Sequence, residues 1–376
     1  MKNIIVFFMA VIMAVGSVQS CVSAAEKNID NNNKQQINMK IAMISDYSGI
    51  ADQAFNQAVY EACKTYAQTH ETPFVCFQPV TNKGDEYSRL VNDALKQGYN
   101  VIVAPGTSFI DALKAAAPVN PNVNFIALDI DREHMGDTEI PANLYSTVYQ
   151  EELSGYMAGY AAVKMGYTKL GYLGGMDIPP VRRYGYGFLQ GIDEAAKELK
   201  KGDIAVNYIY AGQFESNEKI TAEMKKWYQD GIQVVMPCGG LYESVGKATK
   251  ISNGKIIGID VDQSHIIDYQ YGRGTTVTSA MKDIYGSVLV ALFKAENGVL
   301  PGGHVERLGL VGEDPEKNYV KLPVGTTQWN DKFTQKDYKI LVSKLFNGKL
   351  KVSDDVKKSP AEVVNNITVR DLGTIK

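Results

Sequence analysis

Residues 169–210 open with Lys169-Leu170-Gly171-Tyr172-Leu173-Gly174-Gly175, pass through the amphipathic stretch Tyr184 to Lys200, and close with Val206-Asn207-Tyr208-Ile209-Tyr210. Two strand-length apolar runs separated by a helix-length segment form the repeating unit of a parallel sheet, because parallel neighbours need a crossover that a tight turn cannot make. The same unit recurs in both directions. Toward the amino terminus the apolar runs are Lys40 to Ile44, Phe74 to Phe77, Val101 to Ala104 and Asn124 to Leu128; toward the carboxyl terminus they are Val234 to Met236, Lys255 to Ile259 and Thr276 to Ser279. Helical spacing fills the gaps at Asp52 to Gln68, Tyr87 to Lys96, Glu151 to Lys164 and Glu218 to Gln229. The alternation predicts an α/β protein with parallel sheets covered on both faces.

Arg132 to Ala142, charged and proline-containing, interrupts the alternation, which places a lobe junction near Tyr145 to Tyr149. From Met39 onward about 340 residues remain, too many for one ordinary core and suited to two lobes. The expected architecture is two doubly wound parallel-sheet lobes joined by a multi-strand hinge. Lobe 1 is expected to span 39–146 with 277–300, and lobe 2 to span 147–276 with 301–376. A helix from Lys282 to Asn297 is expected to return to the first lobe, with another crossing beyond Gly302.

The first residues carry a separate message. Lys2 precedes an apolar run from Ile4 to about Val18, too short for a lasting membrane span and matched to a signal peptide over 1–21. Val18-Gln19-Ser20-Cys21 approximates a lipobox, so Cys21 is the expected lipidation site and the body is expected on the extracytoplasmic side of a membrane. Cleavage near Val22-Ser23-Ala24, with plain secretion, is the alternative. Residues 22–38, with Asn31, Asn32 and Asn33 in a row, read as a flexible tether. A formal net charge of −3 supplies no basic footprint, so nucleic acid is not an expected partner. Cys63, Cys76 and Cys238 have no metal-ligand spacing and read as small buried hydrophobes, with a Cys63–Cys76 bridge left open.

Ligands of open parallel sheets sit beyond the carboxyl ends of the strands. Here those ends read Ser45-Asp46-Tyr47-Ser48, Pro105-Gly106-Thr107, Asp129-Ile130-Asp131, Gly174-Gly175-Met176-Asp177, Pro237-Cys238-Gly239-Gly240 and Asp260-Val261-Asp262. A rim of carboxylates accepts hydrogen bonds from vicinal hydroxyls or ring amino groups and repels phosphate. Taken alone, each residue has a plainer reading: Asp46 as a helix cap, Phe55 as core, Asn56 as a surface amide, Asp129 as an ion-pair partner of Arg132. A lysine at a helix start is electrostatically unfavourable, which singles out Lys282. Pro179-Pro180 reads as a rigid helix entry, with Arg182 and Arg183 more architectural than ligand-binding.

Four segments in order resemble the basic membrane lipoprotein family, whose best-understood type is the purine nucleoside receptor of ABC importers. They are Ala51-Asp52-Gln53-Ala54-Phe55-Asn56-Gln57, Gly174-Gly175-Met176-Asp177-Ile178-Pro179-Pro180-Val181, Gly258-Ile259-Asp260-Val261-Asp262-Gln263 and Thr278-Ser279-Ala280-Met281-Lys282. The resemblance covers essentially the whole mature chain. It implies a type I periplasmic-binding-protein fold whose cleft stacks a purine on aromatic rings. By the resemblance, Asp46 and Asn56 read the base and Phe55 is one stacking plate, while Asp129, Gly239, Asp260 and Lys282 contact the ribose. The second plate falls at Met236, with Tyr242 as an alternative. The implied partners are a small-molecule nucleoside and an ABC permease with ATPase subunits; a monomer with no cofactor or metal is expected.

Two other functions compete. A nucleoside-cleaving enzyme would need a dense carboxylate cluster or a nucleophile motif, whereas only Asp46 lies on the first strand end and His70, His134, His265 and His304 are scattered. A receptor for a free sugar or another small polar solute keeps the fold; Asn56 beside Phe55, an amide able to read a heteroaromatic edge, favours the nucleoside.

Overall fold

The computed structural model describes residues 38–376. The expected signal segment, Cys21 and the tether up to residue 37 lie outside the described residues. No helix among the described residues is long and apolar enough to cross a membrane.

In chain order the elements are β1 (Ile41–Ile44), α1 (Phe55–Thr69), β2 (Phe74–Phe77), α2 (Gly84–Lys96), β3 (Val101–Pro105), α3 (Ile110–Ala116), β4 (Asn124–Leu128), α4 (Arg132–Met135), β5 (Leu144–Tyr149), α5 (Glu151–Met165), β6 (Lys169–Gly174), α6 (Pro179–Leu199) and β7 (Ala205–Tyr210). There follow α7 (Glu218–Gln229), β8 (Val234–Cys238), α8 (Tyr242–Ser252), β9 (Lys255–Asp260), α9 (Ser264–Tyr271), β10 (Thr276–Lys282), α10 (Ile284–Glu296), β11 (His304–Leu308), β12 (Val320–Lys321), α11 (Gln335–Phe346) and β13 (Thr368–Thr374). Local chemistry marks the ends. Pro179 occupies the first turn of α6, where its missing N–H costs nothing. The Asn217 side chain accepts from the Ile220 N–H at the start of α7, and Gly166, at φ 116°, ends α5.

The chain divides into two compact units. Among the described residues, unit 1 holds 38–50, Asn56–Val148 and Ile284–Arg307. Its sheet runs β11-β5-β4-β3-β1-β2, with β1 through β5 pairing in parallel. Strands β1 and β3 are buried along their whole length, which explains their unbroken apolar sequence. Tyr87, Phe109, Leu113, Ile102 and Phe125 are part of the packing on this sheet. The sheet steps outward from β1 in opposite directions, to β2 and to β3, so its switch point lies at their carboxyl ends.

Unit 2 holds Ala51–Phe55, Tyr149–Asp283 and Leu308–Lys376. Its sheet runs β12-β10-β9-β8-β6-β7-β13. All neighbours are parallel except β12, which runs antiparallel to β10. The switch point falls between β6 and β8. Trp227, Met224, Ile220, Leu173 and Val235 belong to its core.

Some boundaries differ from the sequence-based expectation. Residues 277–283 lie in unit 2, because β10 pairs with β9, and residues 301–307 lie in unit 1, because β11 joins β5. Lys282 ends a strand rather than starting a helix; α10 begins at Ile284.

Candidate functional site

In unit 1, Asp46 follows β1 and Asn56 sits in the first turn of α1. Asn56 Nδ2 donates to Asp46 Oδ1 at 2.9 Å, while the Asp46 backbone N–H donates to Asn56 Oδ1 at 3.1 Å. The reciprocal pair fixes which end of the buried amide faces which way. The Ser48 N–H also donates to Asp46 Oδ1, at 2.8 Å, so the loop itself orients the carboxylate. Asp129, the next residue after β4, is separated from Asp46 by the intervening strand β3. It is buried, with a backbone φ of 59°, and its N–H donates to the Thr147 carbonyl at 2.8 Å. The Arg132 guanidinium donates to the carbonyls of Gly136 and Thr138.

Unit 2 brings Phe55, Asp260 and Lys282 together. Lys282 Nζ stands 3.6 Å from Asp260 Oδ1 and 3.4 Å from Glu151 Oε1. Three rings surround the ammonium, with centroids at 4.7 Å for Phe55, 5.1 Å for Tyr149 and 5.8 Å for Tyr184. At these distances each ring face attracts a cation. Arg183 Nε donates to Glu151 Oε2 at 2.7 Å, and the Tyr184 hydroxyl donates to Asp260 Oδ1 at 3.1 Å. The result is a buried chain of groups, Arg183–Glu151–Lys282–Asp260–Tyr184, with two positive and two negative members. Burial, reinforced by the carboxylates of Asp260 and Glu151, pushes the Tyr184 phenol well above its ordinary value. It therefore stays protonated and donates. Asp260 holds this position with a φ of 64°, a conformation uncommon outside glycine.

Gly239 follows β8 with a φ of 90°, and a Cβ there would come within 2.5 Å of the Phe214 ring. A Cβ at Gly175, just after β6, would lie 2.4 Å from the same ring. Two glycines at neighbouring strand ends thus let one half-buried aromatic face lie on bare backbone. Phe214 was not among the residues expected from sequence. Met236, expected as a substitute stacking surface, is completely buried in the middle of β8, opposite Tyr172 in register. Its thioether is core packing there. Tyr242 is also buried, at the start of α8. The predicted rigid helix entry is present: Arg182 Nη2 donates to Asp177 Oδ2 at 2.7 Å, and Arg182 Nη1 to the Val356 carbonyl at 2.8 Å.

Glu151, Tyr149, Tyr184 and Phe214 are the site neighbours that sequence reasoning missed as such. Cys63, Cys76 and Cys238 are free thiols, which closes the question of a Cys63–Cys76 bridge. Among the described residues no group of three or more His, Cys, Asp or Glu side chains could hold a metal ion.

A solute-binding protein of an ABC transporter system from Aeropyrum pernix K1 superposes with a TM-score of 0.65 at 20% identity, over 86% of this chain and 90% of that one. The Lac repressor bound to ONPG matches with a TM-score of 0.51 at 14% identity, over 80% of this chain and 87% of that one. These likenesses establish the periplasmic-binding-protein-like fold. In sequence, the chain is 30% identical over 290 residues to the ABC transporter nucleoside-binding protein BmpA of Lactococcus lactis, covering 72% of this chain and 79% of that protein. Basic membrane protein B of Borreliella burgdorferi is 27% identical over 319 residues, covering 82% of this chain and 86% of its own length. The sequence model of the Bmp family, described as PnrA-like ABC transporter substrate-binding proteins, matches residues 39–355, and this chain belongs to that family.

Proposed function

We propose that this substrate-binding component of an ABC transporter is an extracytoplasmic receptor for purine nucleosides, anchored to the membrane through Cys21 and delivering its ligand to a permease with ATPase subunits. The observation that carries the ligand assignment is the locked Asp46–Asn56 pair, directly adjacent in sequence to Phe55. A carboxylate acceptor held beside an oriented amide suits the donor and acceptor edge of a heterocycle, whereas a saturated sugar needs no such pair. Phe55 and Phe214 are the aromatic faces offered to the base. Asp260 and Lys282, with Asp129 and Gly239, take the ribose: Asp260 accepts from a hydroxyl and Lys282 donates to one. The relative from Lactococcus lactis, named as nucleoside-binding, supports the same ligand class here.

Thermal unfolding in the presence of inosine, guanosine, adenosine, cytidine, ribose and free bases tests the assignment, because a ligand that binds only the folded state raises its stability as concentration exceeds Kd. Purine nucleosides are expected to raise the melting temperature most. A shift with ribose and none with any nucleoside would replace the nucleoside by a free sugar. Phe55→Ala and Asp260→Ala are each expected to weaken binding by roughly 1 kcal/mol or more, the scale of a lost aromatic contact or an unpaired hydroxyl.

A further inference from the structure

We infer that Glu151 is a positioning residue for the ligand site: its carboxylate, braced by Arg183, holds the Lys282 ammonium in place, so that Asp260 can turn from its own ion pair to a solute hydroxyl. The inference rests on the nucleoside reading above and extends it to a residue that neither the strand-end rule nor the family resemblance singles out.

Glu151 is 0% exposed, at the first position of α5. Its two oxygens serve different cations: Oε2 accepts from Arg183 Nε at 2.7 Å, and Oε1 lies 3.4 Å from Lys282 Nζ. A buried carboxylate with both oxygens committed is a fixture, since removing either cation would leave an uncompensated buried charge. Asp260 is placed differently. It ends β9 and holds Lys282 at the longer distance of 3.6 Å, and it also accepts from the Tyr184 hydroxyl.

The charge balance gives this arrangement its purpose. Lys282 is itself 3% exposed, and an ammonium so deeply buried needs a permanent counter-charge. If Asp260 were its sole counter-ion, any hydroxyl bound by Asp260 would compete with the ion pair. Glu151 lessens that competition by supplying a second carboxylate to Lys282. With Arg183 on Glu151, the four charges of Arg183, Glu151, Lys282 and Asp260 balance as a set, and Glu151 keeps its hold on Lys282 when Asp260 accepts from a solute hydroxyl. Phe55 and Tyr149 close over the same ammonium and limit the positions it can adopt.

A double-mutant cycle tests this with inosine, guanosine and adenosine as probes and calorimetric titration as the readout. Glu151→Gln is expected to weaken nucleoside binding about tenfold, the scale of a lost charge-assisted hydrogen bond. Lys282→Met is expected to weaken it as well. The deciding prediction is the double variant: if Glu151 acts through Lys282, adding Glu151→Gln to Lys282→Met costs no further affinity, whereas a purely architectural Glu151 would add its loss in either background. Arg183→Lys, which keeps the charge and loses the Nε geometry, is expected to follow the same pattern with a smaller effect, and it serves if Glu151→Gln fails to fold. Additive losses, or unchanged affinity in Glu151→Gln while the wild type binds a nucleoside, overturn the role of Glu151 alone. No nucleoside binding by the wild type overturns the ligand assignment and this role together.

Discussion

Phe214 and Met236 make opposite use of one neighbourhood. Phe214 lies in the loop after β7 and spreads over the backbone of Gly175 and Gly239, while Met236 is sealed inside β8. If aromatic surface at these strand ends matters for binding, Phe214→Ala should lower nucleoside affinity by about tenfold, in line with a lost stacking contact. Met236→Leu, a volume-conserving core change, should leave affinity nearly untouched and cost less than about 1.5 kcal/mol of stability. Titration of both variants with inosine separates the two; a larger loss from Met236→Leu would return the plate to the strand. The sequence pointed to Gly239 because it stood at a strand end, but Phe214 carried no such signal: its partners are distant in sequence and are glycines. Glu151 was hidden for another reason. An acidic residue in the first turn of a helix is expected from the helix dipole alone, so only its contacts with Arg183 and Lys282 reveal a second task.

Helices α5 and α6 show how that task is built. Gly155 and Gly159 on α5, and Gly187 and Gly191 on α6, recur at four-residue spacing and bring the two backbones into direct approach. A Cβ at Gly187 would lie 2.0 Å from the Glu152 carbonyl oxygen, and one at Gly159 would lie 2.2 Å from that of Phe188. Such contacts admit no methyl group, and backbone cannot retreat as a side chain can. Since Glu151 opens α5 and Arg183 lies in the first turns of α6, this seam sets the distance between the two charges. Gly187→Ala should therefore lower the melting temperature by several degrees, on the order of 1–3 kcal/mol of overpacking, and weaken ligand binding in the surviving folded protein. Calorimetry would settle it; an unchanged melting temperature would mean the seam relaxes freely. Strand–helix alternation was legible because β1, β3 and β6 are apolar runs. Strand β13 was not: most of its residues are exposed, and its place beside β7 is set by pairing and by Asp193, which accepts from the Asn365 and Asn366 N–H groups.

At the scale of the molecule, the free thiols report on opening. Cys63 is fully buried in unit 1 and Cys238 in unit 2; burial raises both thiols far above their ordinary value, and it pushes Cys76 up to about 11. Because the thiolate is the reactive form, folded protein at pH 8 should react slowly with iodoacetamide at all three, and unfolding in urea should restore rapid labelling. Rapid modification of Cys63 without denaturant would show that unit 1 opens readily. The two-lobe division was readable from chain length and the break near Arg132 to Ala142. Its detailed boundaries were not, because β10 stays in the sheet of its sequence neighbour β9 while β11 joins β5, a partner remote in sequence. Each unit is gathered from separated stretches: unit 1 waits for Ile284–Arg307, and unit 2 for everything after Leu308. Closing such long loops costs entropy before any contact repays it, and high contact order slows folding. Refolding should thus be paced by these distant closures rather than by helix formation, and a fragment ending at Val148 would lack α10 and β11, with Tyr66 missing its Glu296 acceptor.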